Sequence, residues 1–137
     1  MSTRSMASLK QMQVHVSLDG KFLFTLDDLA RAEAQVLAEC ARHPNPNERM
    51  RAASSQTTPS ESLSYLTRDL QPQVRLRVAG NICTPAEGFV VLAEDSDPQV
   101  RAAVLNNPST PPMVKIWMRG GYGDMSLKEF LETANAD

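Results

Sequence analysis

The chain has 137 residues, 42% of them apolar but only 5% aromatic, so its core must be built from Leu, Val, Ala and Met rather than from stacked rings. Fourteen basic and 16 acidic residues leave a formal net charge of −2, which provides no cationic footprint for a phosphate backbone and argues against nucleic acid as a partner. Two cysteines, Cys40 and Cys83, are too few for a disulfide framework or a four-thiol metal site. No apolar run approaches the roughly 18 residues of a membrane span, and the first residues carry no apolar signal core. The expectation is a soluble cytoplasmic protein with reduced thiols and no membrane contact.

Residues 1–11 read as a flexible start. Met12, Val14 and Val16 then alternate with Gln13, His15 and Ser17, which predicts a strand, and Phe22-Leu23-Phe24 predicts a second. A three-residue loop, Leu18-Asp19-Gly20, sets Val16 opposite Phe22 and Val14 opposite Phe24, with Gly20 left-handed in a bulge. Thr25-Leu26-Asp27-Asp28 opens a helix to about Arg42 that buries Leu29, Val36, Leu37 and Cys40. An isolated hairpin is marginal, so this one packs on the helix or pairs with another chain. Leu37, Cys40 and Pro46 form a worn half-copy of a repeat that is clearer from residue 48 onward. Residues 12–47 thus read as an N-terminal cap plus a degenerate repeat.

Three segments superpose without a gap: Glu48 to Pro59, Val74 to Pro85, and Val100 to Pro111, each 26 residues after the last. Arg49, Arg75 and Arg101 share one column, and Thr58-Pro59, Thr84-Pro85 and Thr110-Pro111 another. Each Thr-Pro reads as a helix start, with Thr capping, Pro first and Glu61 or Glu87 closing a capping box. That helix buries Leu63 and Leu66, then Phe89 and Leu92, over about three turns. Asp97-Pro98 starts a second, shorter helix, partly 3₁₀; Gln71-Pro72 and Asn45-Pro46 occupy the same column. Gly80-Asn81 and Asn106-Asn107 suit its end because both residues tolerate the left-handed conformation. Neither helix buries its apolar face alone, so stacking must supply the cover.

Residues 95–111, Asp-Ser-Asp-Pro-Gln-Val-Arg-Ala-Ala-Val-Leu-Asn-Asn-Pro-Ser-Thr-Pro, resemble the motif of the leucine-rich repeat variant family of bacteria. The resemblance spans residues 48–118. It implies a mainly α fold, a short right-handed solenoid of about three repeats of alternating α and 3₁₀ helices. It implies little about function. The cysteine-rich segment that carries an iron–sulfur cluster in one member has no counterpart here, so no cofactor is expected.

Residues 119–137 read as a link, Arg119-Gly120-Gly121-Tyr122-Gly123-Asp124, and a capping helix. Ser126 and Glu129 form its capping box, and Leu127, Phe130, Leu131 and Ala134 its apolar face.

Cys40 and His43 have half the spacing of a zinc site, but Cys40 stands in the core column of Leu66 and Leu92, so a buried thiol is expected and no metal. Asp69 and Asp95 fall six residues before Arg75 and Arg101, which suits bridges between the two helices of a repeat better than an anion-binding stripe. His15 and His43 lack any neighbouring nucleophile in a catalytic pattern, so no catalytic residue is assigned. The helical wheel turns Ser64 and Tyr65, Val90 and Val91, and Ile116 and Trp117 outward. Lys115 stands in the core column of Leu63 and Phe89, so the third helix should rotate and rebuild its core from Val114, Trp117 and Met118. Rotation, the C-terminal helix or a partner chain then covers Trp117. Tyr65, Val90, Val91, Ile116, Trp117 and Tyr122 are the candidate partner-binding residues. The expected function is non-catalytic protein–protein binding, with homo-oligomerisation open. The alternatives are a nucleic-acid-binding solenoid using Arg75, Arg77 and Arg101, and an accessory subunit of a larger enzyme.

Overall fold

Proline positions and short apolar stripes set the boundaries of nearly every element. In the computed structural model, which describes residues 15, 16 and 22–135, the chain is mainly helical. Strands β1 (His15–Val16) and β2 (Phe22–Phe24) pair antiparallel with Val16 opposite Phe22. Phe24 stands opposite His15 rather than Val14, because the ladder is irregular between His15 and Val16 and Leu23 is the extra residue. The expected start at residues 1–11, the loop glycine Gly20 and Val14 lie outside the described residues.

Helix α1 (Leu26–Ala41) begins with a capping box between Thr25 and Asp28. Its buried stripe is Leu29, Glu33, Leu37, Cys40 and Ala41. Val36, expected inside, is 46% exposed, because it sits one residue before the stripe and so about 100° around the helix from Leu37. Three helix pairs come next: α2 (Pro46–Ser54) with α3 (Ser60–Leu66), α4 (Pro72–Gly80) with α5 (Ala86–Leu92), and α6 (Pro98–Asn106) with α7 (Pro112–Met118). Helix α8 (Leu127–Ala134) closes the described chain behind a capping box between Ser126 and Glu129.

The order of lengths is the reverse of that expected. The helices after each Thr-Pro have seven residues and those after each Asx- or Gln-Pro have nine. Pro46, Pro72 and Pro98 sit in the first helical turn, whereas Pro59, Pro85 and Pro111 are themselves the N-caps, with no side-chain cap behind them. The expected Thr caps and Glu capping boxes are absent at these starts. Each threonine faces backwards instead. Thr58 Oγ1 donates to Ala52 O at 2.6 Å, Thr84 Oγ1 to Val78 O at 2.7 Å, and Thr110 Oγ1 to Val104 O at 2.6 Å. A threonine in this column therefore closes the helix before it, not the one after. No described segment is a 3₁₀ helix. The tighter i→i+3 bonding occurs at helix ends, as in Ser62 N to Pro59 O and Asn81 N to Val78 O, and in turns, as in Asp69 N to Leu66 O.

Helices α2, α4 and α6 pack side by side in chain order, with α1 against α2 at one end. Their Ala52, Ala53, Val74, Val78, Ala79, Val100 and Val104 are buried, and Leu66, Phe89 and Leu92 cover them from α3 and α5. Each such Leu contributes about 1.5–3 kcal/mol by leaving water. Small residues on the inner row let short helices approach closely without aromatic bulk. In helix α7, Val114, in the column of the buried Gly88, is the buried residue, Trp117 and Met118 pack partly buried against the core, and Lys115 is half-buried. Leu127 and Phe130 of α8 complete the core at that end.

The asparagines do more than end helices. Asn81 and Asn107 are extended, with φ −83° and −79°, so the expected left-handed termini are not formed. Their side chains are buried and reach across to the preceding pair. Asn81 Nδ2 donates to Ala53 O and Ser55 O at 2.9 and 2.8 Å. Asn107 Nδ2 donates to Ala79 O and Asn81 O at 2.8 and 3.0 Å. Each Oδ1 accepts the N–H two residues on, from Cys83 and Ser109. Asn107→Ala strands two buried carbonyls and should destabilise the fold by about 2–4 kcal/mol, while Asn106→Ala, exposed beside it, should change little. Urea unfolding of the two variants measures the difference.

Candidate functional site

The arginine column is placed by the second turn of each nine-residue helix. Arg49 Nε and Nη2 donate to both oxygens of Asp69 at 2.7 and 3.2 Å, while Nη1 bonds His43 O and Pro44 O. Arg75 repeats this geometry on Asp95, at 2.7 and 3.2 Å, with Nη1 on Asp69 O at 2.6 Å. The Arg–Asp bridges therefore run to the aspartate 20 residues later, not to the one six residues earlier. The earlier residue contributes its carbonyl alone. Asp69 Oδ1 and Asp95 Oδ1 also accept from Gln71 N–H and Asp97 N–H, so each carboxylate closes a turn and binds an arginine at once. The bond to Asp95 holds the Arg75 guanidinium above its ordinary pKa.

Arg101 keeps only half of this pattern. Its Nη1 donates to Asp95 O at 2.6 Å, but no described carboxylate meets its Nε and Nη2 edge. The residue 20 positions on is Gly121, whose φ of +96° is a backbone conformation that L side chains rarely adopt. Beside Arg101 lies a groove of about 690 Å³ whose walls include Asp95, Trp117, Met118, Gly121 and Tyr122. An equivalent groove of about 670 Å³ lies at the first pair, beside Arg49 and Tyr65, and there Asp69 fills the fork.

The six residues expected to bind a partner are not one surface. Tyr65 is exposed, with the Arg42 guanidinium 4.3 Å from its ring centroid. Val91 and Trp117 occupy the same column, half-buried, and Tyr65 and Trp117 line the two equivalent grooves. Val90 packs against the core, and Ile116, in its column, is exposed. Trp117 is half-buried, with its indole N–H bonded to Met125 O at 3.0 Å, so the segment leading into α8 provides part of its cover. Tyr122 lies on Phe130 at a ring separation of 4.6 Å. Sequence reasoning missed Arg101's open fork. The signal was present as the break in the Asp69, Asp95 column at Gly121.

Cys40 is buried and its thiol faces Glu48 Oε1 at 3.6 Å; burial, above all, raises its pKa. His43 is exposed, and its Nδ1 accepts the Asn45 N–H at 2.9 Å. Among the described residues no group of three His, Cys, Asp or Glu is placed to hold a metal ion. Glu33 is buried with both carboxylate oxygens unpaired among the described residues, a place the pattern of α1 fills elsewhere with Leu.

Asp95→Ala leaves Arg75 without its half-buried partner and should cost about 2–4 kcal/mol, whereas Arg101→Gln should stay within about 1 kcal/mol. Chemical denaturation compares them. With a disulfide reagent at neutral pH, exposed Cys83 should react rapidly and Cys40 slowly, and Cys83→Ser should remove the fast phase. Because the Cys40 thiol is shifted upward, its rate should climb only as pH rises past the ordinary thiol range. Comparison of the chain with protein-family models, curated proteins and solved structures gave no match to any of them.

Proposed function

We propose that this chain is a non-catalytic protein-binding module on a short right-handed helical solenoid of about three repeats, of the leucine-rich repeat variant kind. The N-terminal hairpin with α1 serves as one cap and α8 as the other. The observation that carries the reading is the column Tyr65, Val91 and Trp117, which keeps aromatic and apolar surface beside grooves at both ends of the array. Aromatic side chains at half-buried positions are the usual anchors of protein interfaces. The charge pattern supports a polypeptide over a nucleic acid. Arg49 and Arg75 are neutralised by Asp69 and Asp95, so two of the three arginines of the column offer no free charge to phosphates. No helix among the described residues is long and apolar enough to cross a membrane.

The test combines solution mass with co-purification from the native source. A stoichiometric partner, or a second copy, should be retained by the unaltered chain and released by Tyr65→Ala combined with Ile116→Ala. A monomer that retains no protein, and that binds duplex DNA or RNA with an affinity falling steeply with salt, would overturn the reading.

A further inference from the structure

We propose that the groove beside Arg101 is a receptor for an aspartate side chain presented by a partner polypeptide. The inference rests on the protein-binding reading and names the chemistry of its ligand. The repeat pattern of the chain itself defines the open fork. Arg49 and Arg75 each hold a guanidinium by Nη1 bonding to backbone carbonyl, which leaves the Nε and Nη2 edge facing outward, and each edge takes both oxygens of an aspartate. Arg101 is anchored in the same way on Asp95 O, and its edge is left without a described carboxylate. A planar fork with two parallel donors matches a carboxylate better than any other common group.

The chain cannot fill the fork from the expected position. Position 121 is a glycine, and the φ of +95° and +96° at Gly120 and Gly121 are conformations that L side chains rarely adopt. The groove is also far larger than a carboxylate. Trp117, Met118 and Tyr122 form an apolar wall that fits the residues flanking an acidic side chain. That is the setting in which Asp69 and Asp95 occur, each at a helix end and each also accepting a backbone N–H two residues on. Of the acids nearby, Asp95 is neutralised by Arg75, Asp97 caps α6 at the Gln99 N–H, and Glu94 is exposed at the groove's wall.

Trp117 is the only tryptophan and lines the groove, so its fluorescence reports occupancy directly. The probe is acetyl-Glu-Asp-Ser-Asp-Pro-amide, which copies residues 94–98, the segment that fills the Arg75 fork. It should give a saturable change in emission. Replacing its first Asp by Asn, or the protein's Arg101→Gln, should weaken binding by about tenfold or more. Arg101→Lys, which keeps the charge but not the fork, should fall between. Urea midpoints of both variants close to that of the unaltered protein would show that the loss is not unfolding. Equal binding of the Asn peptide, equal binding by Arg101→Gln, or an equal response to acetate alone would overturn the assignment. If the peptide fails while a native partner is still retained, this inference falls and the protein-binding reading stands.

Discussion

Every helix ends in carbonyls that have no partner within it, and a chain divided into helices of seven and nine residues multiplies that problem. At the ends of the nine-residue helices these carbonyls are buried, so water is not available to solve it. Two side chains do so in the turns after α4 and α6, while the turn after α2 has only its threonine. A threonine hydroxyl returns to its own helix, and an asparagine amide crosses to the helix pair before it. One such bond contributes about 1 kcal/mol net, but leaving its acceptor dry and unpaired costs more, so the amide acts chiefly as a requirement on where the next pair sits. The inner row of Val and Ala then packs at the distance the amide dictates.

On another side of the first two pairs the Arg–Asp bridge makes a second tie. It is half-buried, bidentate and braced by backbone contacts at both partners, unlike the single-contact, more accessible ion pair between Arg51 and Glu48 within α2. Polar ties fix the relative placement of helices, while apolar burial supplies most of the free energy. The groove beside the arginine column results from this division of roles. Where the bridge is complete, the groove floor is neutral; where it stops, a cation remains.

The helical content, the cap at Thr25, the start at Asp97, the core places of Leu66 and Leu92 and the packing of Val114, Trp117 and Met118 could all be read from residue spacing. What could not be read was the direction in which a polar side chain turns. Thr58 and Thr84 have the residue type of an N-cap, but a proline comes after each, and the hydroxyl finds an orphan carbonyl behind it sooner than an amide ahead. Asn81 and Asn107 suit a left-handed terminus by type, yet the buried carbonyls of the neighbouring pair outweigh that local preference. Spacing also suggested a bridge over six residues for Arg75, when the partner lies 20 residues ahead, since pairing along the chain says nothing about which helix folds over which. The candidate surface was incomplete for the same reason. Tyr65 and Trp117 were identifiable as outward residues, but the open fork between them and the chain's end exists only once Asp69 and Asp95 are seen to be occupied.

Both ties reach forward or back by less than one and a half times the 26-residue spacing. A segment such as residues 72–97 therefore carries one complete set of donors and acceptors for its two neighbours. Copying that segment in tandem keeps donors and acceptors in register at the new seams, whereas gaining or losing a residue between Arg75 and Asp95 shifts that bridge out of register. The spacing of these contacts favours change by whole 26-residue segments over change by fractions, and Arg101 is the first arginine of its column whose fork no described carboxylate fills.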